Sequence, residues 1–174
     1  AAIYYEADYF VTNQRYQGFK ETLTSNYPDI QIIAERGISG SDLAGSAQKQ
    51  ADALLSQNAD LNGIWAVWDV PAEGVIAAAR SASRTDLGVA SEDLGKNVAI
   101  AMAQDQYVCG LGAQRPYDAG VTEANAAAKA LLGQSVPAFI ALSPLAVTKD
   151  NVADAWRSVY HTDPPEEVRQ ALEA

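Results

Sequence analysis

Trp68 and Asp69 stand side by side at the end of an apolar run, Ile64-Trp65-Ala66-Val67. A flat aromatic face next to a hydrogen-bonding carboxylate suits a sugar, whose ring has one apolar face and an edge of hydroxyls. The same two residues also read as a core tryptophan and a helix cap, since Pro71 follows where a first helical turn accepts proline. Asp93 is the second carboxylate at a predicted strand end. Paired with Asp69 it could divide acid and base roles, but nothing flanking either residue suggests the apolar burial that separates two carboxyl pKa values. Polar contacts to a ligand are the simpler use, and no catalytic residue is assigned. Gly110-Leu-Gly112 begins like a dinucleotide loop, yet Arg115 holds the place of the third glycine. His161 is the only histidine, so neither a Ser-His-Asp site nor a metal site has a basis, and no cofactor is expected.

The elements that must position these residues alternate between strand and helix. Strands are predicted over 2–5, 30–34, 64–68, 87–91 and 108–113, with an extended segment over 138–148. Helices are predicted over 14–26, from 42 or 43 through Leu54 and Leu55, and over 72–81, 97–106 and 117–132. A last helix follows a cap at Asp150 or Asn151, and a short one lies in the tail after Pro164-Pro165. Tyr16, Phe19 and Leu23 mark one face of the first helix, and Leu43, Ala47, Ala51 and Leu54 one face of the second. Residues 6–13 are expected to form a polar and aromatic loop. This order calls for an α/β fold of three layers, a parallel sheet with helices on both faces. In such sheets ligands bind beyond the carboxyl ends of the strands. Tyr9, Phe10 and Asn13 in the first loop, then Trp68, Asp69, Asp93 and Gln114, all fall on that edge and make the candidate ligand-binding set.

Composition excludes several classes. Of the 174 residues, 12 are basic and 22 acidic, for a net charge of −10. That excess argues against a phosphate-binding face, so no nucleic acid is expected on this segment. No apolar run is long enough to cross a bilayer. The lone cysteine, Cys109, forms no internal disulfide and is expected to be a small buried hydrophobe. The chain opens directly on a strand, which suggests a cut from something longer.

The order of short motifs resembles the C-terminal lobe of type I periplasmic sugar-binding proteins, the ribose and galactose group. Its carriers are Arg15-Tyr-Gln-Gly18-Phe19, Ala66-Val-Trp-Asp69 with Ala72 and Gly74, Glu92-Asp93-Leu-Gly95, Gly112-Ala-Gln114-Arg-Pro116 with Gly120, Leu132-Gly133, and Val147-Thr-Lys-Asp-Asn151. The chain is also similar to the effector-binding domains of lac-repressor-type regulators. The resemblance implies two α/β lobes joined by crossing strands, with a sugar held between them. Residues 1–113 would form one lobe, and 114–143 a hinge crossing and a helix of the other. Residues 144–160 would return to the first lobe and 161–174 form a surface tail, with the N-terminal part of the second lobe missing. It further implies the solute-binding component of an ABC importer, outside the cytoplasmic membrane, partnered by a membrane permease and catalysing nothing. By the same resemblance Asn13 takes the place of a sugar-binding arginine and Trp68 that of an asparagine, while Asp69, Asp93 and Gln114 match ligand contacts. The tail after Tyr160 and the 147–151 ending fit the transport proteins better than the regulators.

Overall fold

A computed structural model describes residues 1–174. Its six-stranded sheet runs in the order β2-β1-β3-β4-β5-β6. The strands are β1 (Ala2–Tyr5), β2 (Glu35–Ile38), β3 (Gly63–Ala66), β4 (Gly88–Glu92), β5 (Val108–Ala113) and β6 (Leu145–Val147). The first five are mutually parallel, and β6 closes one edge antiparallel to β5. The helices are α1 (Phe10–Asn26), α2 (Leu43–Gln57), α3 (Asp69–Ser81), α4 (Lys96–Ala103), α5 (Pro116–Leu131), α6 (Val152–Tyr160) and α7 (Glu166–Glu173).

Chain direction decides the layering. The sequence steps outward from β1 to β2 through α1, then back across β1 to β3 through α2, and onward through α3 and α4. Right-handed crossovers therefore put α1 on the opposite face from α2, α3 and α4. The main core lies on the α2–α3–α4 side, where Ile3, Ile64, Ala66 and Val89 meet Leu54, Val75, Val98 and Met102, with Val152, Trp156 and Val168 from α6 and α7. Ala2, Trp65 and Val67 point to the other face. There α1 has no fully buried residue and is seated by aromatic contacts instead. Tyr16 stacks on Tyr4 at 4.8 Å, and Phe19 stacks on Trp65 at 4.7 Å. A Cβ on Gly74 would strike the Ala44 carbonyl, so this glycine sets the close approach of α3 to α2.

Several expectations shift. The second strand is Glu35–Ile38, while the apolar run 30–34 leaves the sheet, with Ile30 and Ile33 exposed. Pairing with β1 selects the later segment, whose Glu35 accepts an ion pair from Lys20 on α1. The loop expected over 6–13 is shortened because α1 starts at Phe10. Strand β3 ends at Ala66, and Asp69 is the first helical residue of α3 behind an N-cap at Trp68. Only Leu145–Val147 of the extended segment joins the sheet. Asn151 is the N-cap of α6, as expected, and it also closes a capping box with Thr148 around a short 3-10 turn at Lys149–Asn151. Cys109 is exposed, not buried, because Val108 and Leu111 take the core-facing positions of β5 and Cys109 lies outside that core, its Sγ donating to the Val89 carbonyl at 3.3 Å. Nor is His161 idle: its ring stacks on Tyr117 at 4.1 Å, and Nε2 lies 3.1 Å from Asp118 Oδ1.

Candidate functional site

The carboxyl ends of β1, β3 and β4 meet the first turn of α1, and a cavity of about 590 Å³ opens between them. Tyr5, Tyr9, Phe10, Trp68, Arg15 and Asp93 are among its lining residues. Tyr5 meets Trp68 edge to face at 5.3 Å and stacks against Tyr9 at 5.8 Å, so three aromatic rings form one wall. Such an arrangement gives each ring a favourable neighbour while leaving an apolar face open.

The polar wall is a single ion pair. Arg15 donates from both guanidinium nitrogens to the two Asp93 oxygens, each at 3.0 Å, and again to the Val67 carbonyl at 3.1 Å. A bidentate fork of this kind fixes both side chains. Asp93 adopts a left-handed backbone, φ 66°, which aspartate tolerates better than most residues. Its N–H donates to the Gly112 carbonyl at 2.9 Å, so the strand-end turn is tied to β5.

Asp69 lies behind this wall and lines neither this cavity nor the larger one beside it. Its Oδ1 accepts from the Val70 N–H at 2.9 Å, and its Oδ2 fills the space that a Cβ on Gly95 would need. Burial, then the charge of Asp93, raises its pKa. Since Arg15 already holds Asp93, the two aspartates do not form an isolated acid–base pair.

A second cavity, of about 1010 Å³, runs between α1 and α5. It shares Phe10, Val11 and Arg15 with the first and reaches Gln114, Glu92 and the segment 137–144. Glu92 ends β4 with its carboxylate resting over Gly112, where any Cβ would collide with it. Burial pushes its carboxyl up to about 7, Asp93 adds to the rise, and Arg15 opposes it.

Tyr9, Phe10, Trp68 and Asp93 thus come together as the sequence suggested, and Gln114 lies in the adjoining cavity. Asn13 does not join them: it is exposed, and its Nδ2 donates to Asp8 Oδ1 at 2.7 Å. The physical reason is helical phase. With α1 starting at Phe10, residues 11, 14, 15 and 18 share the face toward the cavities, and 13 turns away. Three contributors were missing from the sequence-derived set: Tyr5, Arg15 and Glu92. The signal for Arg15 was its spacing from Gly18 and Phe19, one helical turn on the same face. Tyr5 and Glu92 offered only their positions as last residues of strands.

Comparison with known proteins bears on the fold. The periplasmic binding protein domain matches residues 1–135. An ABC transporter solute-binding protein from Agrobacterium vitis, solved with α-D-tagatopyranose, superposes with a TM-score of 0.79 at 24% identity, covering 95% of this chain and 54% of that one. A carbohydrate transporter solute-binding protein from Agrobacterium radiobacter, in complex with D-arabinose, gives 0.80 at 22% identity, covering 91% and 54%. The 5-methylthioribose transporter solute-binding protein from Thermotoga lettingae gives 0.75 at 20% identity, covering 99% and 58%. The chain therefore spans little more than half the length of these structures. No curated protein sequence matches it. With the family match extending over most of its length, the chain belongs to the periplasmic binding protein domain family.

Proposed function

We propose that the chain is part of the solute-binding component of an ABC importer and holds a sugar or sugar-like polyol at the aromatic and Arg15–Asp93 walls. The observation that carries this reading is the joining of Tyr5, Tyr9 and Trp68 with a bidentate Arg15–Asp93 pair in one cavity. Aromatic faces take the apolar side of a sugar ring, and a fixed guanidinium and carboxylate take its hydroxyls. Gln114 and Phe10 would approach the ligand from the side of α5 and α1.

In this reading residues 1–113 and 144–160 belong to one lobe, residues 114–143 to a crossing and a helix of the other, and 161–174 to a tail. Unlike α1, which stacks on Tyr4 and Trp65, α5 has neither a fully buried residue nor an aromatic contact with the sheet, which supports that division. Closure of two lobes on the sugar would present a shape that a membrane permease recognises, in the periplasm or at the outer cell surface. Binding without turnover follows from the same reading. The transport character of the matched structures favours it over an effector domain of a transcription regulator.

The test is a thermal-shift and calorimetric screen of the natural polypeptide with D-tagatose, D-arabinose, D-allose, myo-inositol and 5-methylthioribose. At least one should raise Tm, and Trp68→Ala and Asp93→Asn should each weaken its binding at least tenfold. A polypeptide indifferent to the whole panel, or whose binding survives both substitutions, would overturn the reading.

A further inference from the structure

Glu92 is the one half-buried carboxyl in this region with no hydrogen-bonding partner, and only burial and neighbouring charges act on it. It stands next to Asp93 in sequence, with Gly112 leaving room for its carboxylate. Arg15 lines both the cavity that contains Asp93 and the one that contains Glu92; its charge acts on Glu92, while its hydrogen bonds to an acid go to Asp93 alone.

We propose that Glu92 is a competing partner for Arg15, so that one proton on Glu92 decides whether the guanidinium is held by Asp93 alone or shared between the two. Glu92 is then a positioning residue: it acts on a ligand only through Arg15 and Asp93. With Glu92 protonated, Arg15 occupies both Asp93 oxygens, as in the structure. Once Glu92 loses its proton, the guanidinium is drawn toward it and one Asp93 oxygen becomes free to accept a hydroxyl hydrogen. Ligand affinity therefore rises with pH through the neutral range.

The charged groups around Glu92 support this direction. From α1 only Arg15 faces it, from its own strand end Asp93, and from β5 only the uncharged Gly112. Arg115 and Glu123, at the crossing and on α5, line the same cavity with opposite charges. Burial pushes the Glu92 carboxyl up to about 7, where cellular pH can change its state.

The consequence for affinity rests on the sugar-binding reading, but the exchange itself does not, and the experiment separates them. In the natural polypeptide without ligand, carboxyl carbon NMR follows Glu92 and guanidinium nitrogen NMR follows Arg15 from pH 5 to 9. Both should move with one midpoint near 7. Glu92→Gln should abolish the Arg15 step while leaving its resonances at their low-pH positions, and Glu92→Asp should retain a step at a shifted midpoint. Should Glu92→Gln fail to fold, Glu92→Asp and the parent decide alone. Where a sugar from the panel binds, its affinity should increase several-fold from pH 6 to pH 8 in the parent and stay flat in Glu92→Gln. Arg15 signals that stay flat while Glu92 titrates, or an Arg15 step that persists in Glu92→Gln, would overturn the exchange whatever the ligand screen shows.

Discussion

At the scale of single residues, the carboxyls differ because their surroundings do. Glu92 has its pKa raised from 4.5 to about 7, chiefly by burial. The folded chain then binds more protons than the unfolded chain between those values. Its contribution to stability is fully present below 4.5 and is lost as pH rises through 7. Glu92→Gln should equal the parent near pH 4.5 and exceed it at pH 8 by about 1–2 kcal/mol, a figure reduced to allow for solvent access. Urea unfolding at the two pH values measures this, and equal differences at both would contradict it. Arg15 presents the opposite case. Its side chain is largely covered and makes three hydrogen bonds, so Arg15→Met should cost about 1–3 kcal/mol, between the values for exposed and buried pairs. The sequence showed Asp93 as a ligand candidate because carboxylates at strand ends are recognisable from pattern alone. It did not show what holds Asp93, because Arg15 lies 78 positions away and only the folded sheet brings the two together. Asn13 stays out of the cavities for a local reason: α1 begins at Phe10, so position 13 is a helical residue on the turn that faces solvent and Asp8.

At the scale of elements, α1 and the α2–α3 pair are held by different means. The α2–α3 contact depends on a backbone approach at Gly74, where a Cβ would meet the Ala44 carbonyl and the Gln48 nitrogen. Gly74→Ala gains up to about 1 kcal/mol of helix propensity but forces two backbones apart, and overpacking of that kind costs about 1–3 kcal/mol. The clash should win, giving a net loss in urea titration, because the groups struck are main chain and cannot swing aside. Helix α1 has no such buried seam and rests on Tyr16, Phe19 and Lys20 against Tyr4, Trp65 and Glu35. Its amides should exchange with deuterium well before those of α2 and α3, and Phe19→Ala should speed that exchange further while leaving α2 and α3 unchanged. Ahead of α6, Thr148→Ala should remove half of the capping box and lower stability by about 1 kcal/mol. The helices were legible because their apolar residues recur at helical spacing. Strand β2 was not: Glu35-Arg-Gly-Ile38 carries little apolar signal, whereas Ile30–Ala34 carries a strong one, and an edge strand is chosen by its pairing rather than by its hydrophobicity.

At the scale of the whole molecule, the parallel order of five strands followed from the alternation of elements, while the antiparallel β6 depended on where the chain returns after α5 and had no local mark. The stretch from α5 to β6 leaves several large apolar side chains exposed. Leu131 is 90% exposed and Phe139 77%, with Leu132, Ile140 and Val121 nearby in sequence and also exposed. Exposed apolar surface promotes association. The 174-residue chain should show concentration-dependent self-association by light scattering, and Leu131→Ser with Phe139→Ser should suppress it without lowering Tm. The three tryptophans have a further use. Trp65 is sandwiched by α1 aromatics, Trp68 stands in the cavity wall beside Tyr5, and Trp156 is buried in α6 beside Tyr160. Trp65 and Trp68 share one aromatic cluster while Trp156 stands in the main core, so variants retaining Trp156 alone or the pair alone would divide the intrinsic fluorescence into two optical channels: folding of the C-terminal helices, and seating of α1 together with the cavity wall.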